Sequence, residues 1–162
     1  NKSKHAFCCT GLTRGYKEIV ALASEKHEPD TPERLNAQFI DFVKKMRYKY
    51  GRINCIYCDS AEQVLIRGMR KALEDNHLNI ALKNAIKNEI INRIRIVNVL
   101  MTTSRFFYVK NENDSLVEAL QSAVWDSKSF EDKRLDDGTS DIDTLDSFEY
   151  SFEKYIKILS IV

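Results

Sequence analysis

"INCIYCDS", residues 53–60, is the stretch on which the reading of the fold turns. Cys55 and Cys58 stand at Cys-x-x-Cys spacing, as in redox centres and half-zinc sites. Read otherwise, the nearly unbroken apolar run from Ile53 to Cys58 is a strand covered on both faces, as in the middle of a mixed or parallel sheet. That strand would deliver one carboxylate, Asp59, at its C-terminal end. A thioredoxin-type pair opens a helix, where the dipole lowers a thiol pKa. In a β-prone run the two sulfurs point instead to opposite faces. A zinc site needs a second pair of ligands, and the other cysteines, Cys8 and Cys9, are adjacent. The strand reading is adopted, with the cysteines as small buried hydrophobes. Asp59 keeps two readings: an N-cap for the next helix, or a site acid where open α/β sheets place their sites.

Outward from this strand, the chain alternates between the two periodicities. Upstream, His5 to Thr13 and Lys17 to Ser24 are short apolar runs joined at Gly15, which predicts an antiparallel hairpin. Thr31, Pro32 and Glu33 then announce a helix over 32–50, with Leu35, Phe39, Phe42, Val43 and Met46 at helical spacing. Downstream, a helix is expected from Ala61 to Leu73, a short strand over 78–83, and a helix over 89–102. The stripe of that last helix reads Ile90, Ile94, Val97 and Met101, with Arg93 among its polar positions. "RFFYV" (105–109) predicts a strand or extended edge, and 115–123 a short helix. From Trp125 to Asp141 the composition turns polar and charged, which predicts a long surface excursion with a second hairpin. A final helix follows, capped by Ser140 or Asp141, with Ile142, Leu145, Phe148, Phe152, Ile156 and Leu159 as its apolar stripe. This order predicts a three-layer α/β fold around a mixed sheet.

The 162 residues suffice for one domain with a real core, and 43% hydrophobic with 30% charged residues is an ordinary globular balance. A net charge of +1 leaves any nucleic-acid surface to local segregation. No apolar run approaches the roughly 18 residues that span a bilayer, and the residues given hold no charged-then-apolar run of the secretory type, so none is expected to act as a leader. Reduced thiols are expected. The chain runs from Asn1 straight into "HAFCCTGLT" without an initiator Met, which reads as a piece of something longer.

Several chemistries drop out. No Gly-rich phosphate loop occurs, and the EF-hand calcium spacing fails around Gly138. His5, His27 and His77 are scattered. The acids of "DDGTSDIDTLDSFEY" (136–150) are more suggestive, since Asp143 and Asp146 stand three apart at a helix start and share one face. Acids in a first turn also simply complement the helix dipole. Lys128, Lys133 and Arg134 flank this cluster; elsewhere Lys44-Lys45 and Arg67 to Lys71 read as solvated faces.

Four stretches taken in order carry a resemblance: "YCDSAE" (57–62), "KNEIINRIRIVNVLM" (87–101), "WDSKSFEDKRLDDG" (125–138) and "IDTLDSFEYSFEKYI" (142–156). Together they resemble the C-terminal nuclease domain of phage terminase large subunits, PBSX-like branch, from Phe7 to Leu159. The resemblance implies an RNase H-like fold: a mixed central sheet flanked by helices, with an extra surface hairpin before the C-terminal helix. It implies a metal-dependent endonuclease that cuts concatemeric double-stranded DNA during packaging, using two divalent cations, Mg²⁺ or Mn²⁺. Asp59 and Asp146 match the family's metal-binding aspartates, and Asp143 stands where many relatives carry His. These three are the implied catalytic and metal-binding residues, with Lys128, Lys133 and Arg134 on a DNA-guiding flap. The first catalytic aspartate of the family would lie upstream of Asn1, as would an N-terminal ATPase domain. Implied partners are that domain, the terminase small subunit and the portal, in the cytoplasm of an infected or lysogenic bacterial host, with no membrane. Two other readings stay open: a non-catalytic RNase H-like DNA-binding or docking module, and another RNase H-like nuclease such as a resolvase or transposase core.

Overall fold

The structure, a computed structural model, describes residues 4–123 and 141–161. The expected excursion and hairpin before the last helix lie outside the described residues. The chain divides into two compact units, one formed by Asn1–His27 with Ile86–Val162 and the other by Glu28–Ala85.

The first unit is built on a mixed three-stranded sheet. Strands β1 (His5–Leu12) and β2 (Ile19–His27) form the expected antiparallel hairpin, with a bulge between Cys9 and Thr10. Gly15, at φ 84°, supplies the left-handed backbone of the connecting turn. Strand β5 (Phe106–Tyr108) joins the other side of β2 in parallel, giving the order β1-β2-β5. Ile19 and Ala21 of β2 are buried against Ile96, Val97 and Leu100 of helix α3 (Ile90–Thr102) and Leu116 of helix α4 (Asp114–Ser122). Phe148 closes this core edge-on to Phe106, with ring centroids 5.6 Å apart.

The second unit carries helix α1 (Pro32–Tyr50), strand β3 (Ile56–Cys58), helix α2 (Gln63–Asp75) and strand β4 (Leu82–Asn84). Helix α1 starts as its sequence dictates: the Thr31 hydroxyl accepts the Arg34 amide, Pro32 occupies the first turn, and Gly51 ends it at φ 87°. Strands β3 and β4 pair in parallel, with Ile56 opposite Leu82.

Three expectations need correction. Strand β3 is shorter than the apolar run and only half-buried, and it lies in a two-stranded sheet with β4 instead of in the middle of the mixed sheet. The strand expected over 78–83 forms later, at Leu82–Asn84. The final helix breaks. It runs as α5 (Ile142–Tyr150), a 3-10 turn (Glu153–Tyr155) and α6 (Ile156–Leu159). At the break, the Ser151 hydroxyl meets the Thr10 hydroxyl at 2.6 Å and Glu153 turns inward. The bend lets Phe148, Phe152 and Leu159 reach one core.

Candidate functional site

Helix α5 presents the acids of the first unit. Asp141, not Ser140, caps it: one carboxylate oxygen accepts the Thr144 amide at 3.1 Å, and the other takes the Thr144 hydroxyl and Lys26 Nζ, both at 2.8 Å. Burial opposes the Asp141 charge, but Lys26 and Thr144 outweigh it and hold the carboxyl below its ordinary pKa. Asp141 is thus engaged in capping and pairing. Asp143, half-buried in the first turn, accepts the Lys4 amide at 2.7 Å. Asp146 follows one turn later with a quarter of its side chain exposed.

Arg93 is the residue that sequence reasoning missed. It projects from α3 into the protein with 4% exposure. Its Nη1 donates to Asp146 Oδ1 at 2.8 Å and to Glu149 Oε2 at 2.9 Å, and its Nε donates to the Asn88 carbonyl at 3.0 Å. The guanidinium also lies 5.2 Å from the Tyr150 ring centroid. Burial works against its charge, yet Glu149 and Asp146 prevail and hold its pKa above the ordinary arginine value. Asn88 is fixed in turn by Glu153, whose carboxylate accepts the Lys87 amide at 2.8 Å and the Asn88 amide at 3.0 Å. The buried positions of α3 are Arg93, Ile96, Val97 and Leu100, at i, i+3, i+4, i+7 spacing, one of several such sets that this apolar helix offers. The expected stripe ended instead on Met101, which is 39% exposed.

Asp59 belongs to the second unit. It is exposed at the end of β3, and its Oδ1 accepts the Ala61 amide at 2.8 Å. This is a turn of the Asx type; the cap position of α2 is Glu62, so the N-cap reading of Asp59 fails. Cys55 and Cys58 are free thiols, as are Cys8 and Cys9. Burial pushes the Cys58 and Cys8 thiols up to about 12 and Cys9 to about 11, which keeps them protonated and poor ligands. Lys128, Lys133 and Arg134 lie outside the described residues.

Of the expected ligands, one helix brings Asp143 and Asp146 together, while Asp59 stands in the other unit. Among the described residues, no three or more His, Cys, Asp or Glu gather into a group able to hold a metal ion. A pair of carboxylates still suits a hard cation of the Mg²⁺ type, which is commonly held by one or two carboxylates and keeps several waters. The donor set therefore fits such an ion. Among the described residues, no helix is long and apolar enough to cross a membrane.

The mixed sheet with its flanking helices defines the class of the protein as α/β, RNase H-like. Solved structures sharpen this. The large-terminase nuclease domain from bacteriophage SPP1, with bound Mn, matches at a TM-score of 0.63 and 19% identity, over 95% of this chain and 80% of that one. The large terminase of a thermophilic bacteriophage matches at a TM-score of 0.57 and 17% identity, over 98% of this chain but 39% of that one. No protein-family model and no curated protein sequence matches. The chain has the fold of phage large-terminase nuclease domains, as its motifs implied.

Proposed function

We infer that the chain is the nuclease domain of a phage DNA-packaging terminase, a divalent-metal-dependent endonuclease acting on concatemeric double-stranded DNA. The observation that carries this reading is the fold it shares, over 95% of its length, with a terminase nuclease domain that holds Mn. In this reading Asp59, Asp143 and Asp146 hold two divalent cations, Mg²⁺ or Mn²⁺, which when bound supply an activated water and a stabilised leaving oxygen. The chain's own part is to aim the carboxylates. Arg93 holds one oxygen of Asp146, and the Lys4 amide holds one of Asp143. Lys128, Lys133 and Arg134 contact DNA phosphates and orient the duplex without reading its sequence. An ATPase domain of the same protein, the terminase small subunit and the portal are its proposed partners, in the cytoplasm of the bacterial host.

One observation favours the rival reading, a non-catalytic RNase H-like docking module: Asp146 already faces an internal cation, Arg93. Plasmid cleavage by the full-length protein separates the two. The nuclease reading expects nicking or linearisation that requires Mn²⁺ or Mg²⁺ and is lost in Asp59→Ala and in Asp146→Ala. Cleavage unchanged in either variant refutes that residue's assignment, and no metal-dependent cleavage by the wild type favours the docking module.

A further inference from the structure

The last turns of α1 concentrate positive charge in a way that the helix itself does not explain. Five of the chain's 25 Lys and Arg (Lys44, Lys45, Arg47, Lys49 and Arg52) fall within nine residues, and no Asp or Glu occurs from Phe42 to Cys58. All five are exposed. Lys45 and Lys49 are engaged within the protein, and the other three carry the surface. Lys44, Arg47 and Tyr48 stand at i, i+3 and i+4, so they form one contiguous patch on the helix. Gly51, at φ 87°, ends the helix, and Arg52 follows directly. Lys44 Nζ donates to Asn76 Oδ1 at 2.9 Å, a neutral partner that does not cancel its charge. Other exposed cations of this unit pair with an acid four residues away, Arg34 with Asp30 at 3.4 Å and Lys71 with Asp75 at 2.8 Å. Arg47 and Arg52 have no acid within four residues in either direction. Cations in a last turn complement the helix dipole, which accounts for Arg47. The dipole accounts neither for Lys44, before the last turn, nor for Arg52, beyond the helix. Nor does it account for Tyr48, which is 93% exposed in their midst and adds nothing to the core.

We propose that Lys44, Arg47 and Arg52, with Tyr48 among them, form a contact surface for the phosphate backbone of duplex DNA. The proposal rests on the reading of the chain as one that acts on double-stranded DNA, and it adds a contact apart from Lys128, Lys133 and Arg134. At a net charge of +1 any such surface must come from local segregation, and residues 44–52 supply that segregation. Closely spaced phosphates reward several cations held together, through the counterions they release. Arginine's planar fork matches a phosphate, and a tyrosine hydroxyl donates to one. Contacts of this kind hold a duplex without reading its bases.

The experiment measures binding of a fluorescein-labelled duplex by the full-length protein, from fluorescence anisotropy over a series of salt concentrations. EDTA is present throughout, so no metal-dependent step enters. The decisive variant combines Lys44→Gln, Arg47→Gln and Arg52→Gln, all at exposed positions, with folding checked by circular dichroism. Three lost phosphate contacts should make the slope of log K against log salt shallower by about 2.7 and raise Kd about tenfold or more near 0.1 M salt. The control combines Arg14→Gln, Lys110→Gln and Lys154→Gln, which removes the same charge from exposed positions elsewhere. Its slope should stay within about 1 of wild type. Equal losses in both variants would show an effect of total charge alone and overturn the proposal. Wild-type binding by the first variant also overturns it and leaves the surface to an acidic protein. If the wild type binds no duplex at all, the DNA reading itself fails. If it binds and the first variant binds alike, only this surface fails. Tyr48→Phe changes no charge, and should weaken binding about threefold at an unchanged slope; wild-type affinity there overturns the part assigned to Tyr48. Should the triple variant not fold, each substitution is measured singly and should reduce the slope by about 1, and unchanged slopes in all three overturn the proposal.

Discussion

Glu153→Gln should destabilise the protein far more than a one-atom change suggests. Glu153 is 2% exposed, and its carboxylate accepts three donors: the Lys87 amide at 2.8 Å, the Asn88 amide at 3.0 Å and Asn88 Nδ2 at 3.3 Å. Lys87 sits at φ 58°, a left-handed conformation that a lysine adopts at some cost. A glutamine offers one oxygen in place of two. Whichever way its amide turns, an NH₂ faces one backbone N–H that then loses its acceptor. Asn88 Nδ2 can rotate away, so the loss reduces to one orphaned buried amide and one charge-assisted bond, about 3 kcal/mol. For a chain of this size that is a fall in Tm of roughly 6–12 °C. Thermal unfolding by circular dichroism measures it. Native-state hydrogen exchange should also show the Lys87 and Asn88 amides losing protection before the strands do. A Tm within about 1 °C of wild type, with both amides still protected, would refute the idea that Glu153 holds this turn.

Asp141→Ala removes the α5 cap and the Lys26 partner, and should cost about 1 kcal/mol near neutral pH. Because the folded pKa of Asp141 lies below its ordinary 3.8, this stabilisation is complete above that value and fades as pH falls through the folded pKa. Wild-type and variant Tm curves should therefore converge in acid, and a constant gap would contradict the cap. The buried thiols run the other way. Cys8 and Cys58, raised from 9.0 to about 12, add stability that is complete below pH 9.0 and is lost as pH climbs toward 12. Alkaline titration of thiolate absorbance should show them ionising only with unfolding, and ionisation near pH 9 in the folded protein would contradict their burial.

Much of the fold was legible wherever a local signal sets the structure. Thr31, Pro32 and Gly51 bracket α1 because capping and φ preference act within a few residues. The β1-β2 hairpin followed from two apolar runs around Gly15. The candidate site was legible in part. Asp143 and Asp146 share a helix as their spacing suggested, but Asp59 makes a turn with Ala61 where its position alone favoured capping. The break after Tyr150 was hidden because the apolar stripe continues through it at helical period.

By itself the sequence determined the β1-β2 hairpin, the bounds of α1 and the placing of Asp143 and Asp146 on one helix, all matters of near neighbours. The tertiary structure alone decided the role of Arg93. Helix α3 is apolar on nearly every side, so periodicity could not choose which face would be buried. That face was chosen by partners 53 and 56 residues away, Asp146 and Glu149. A buried arginine is stable only where such partners converge, and convergence is a property of the folded chain.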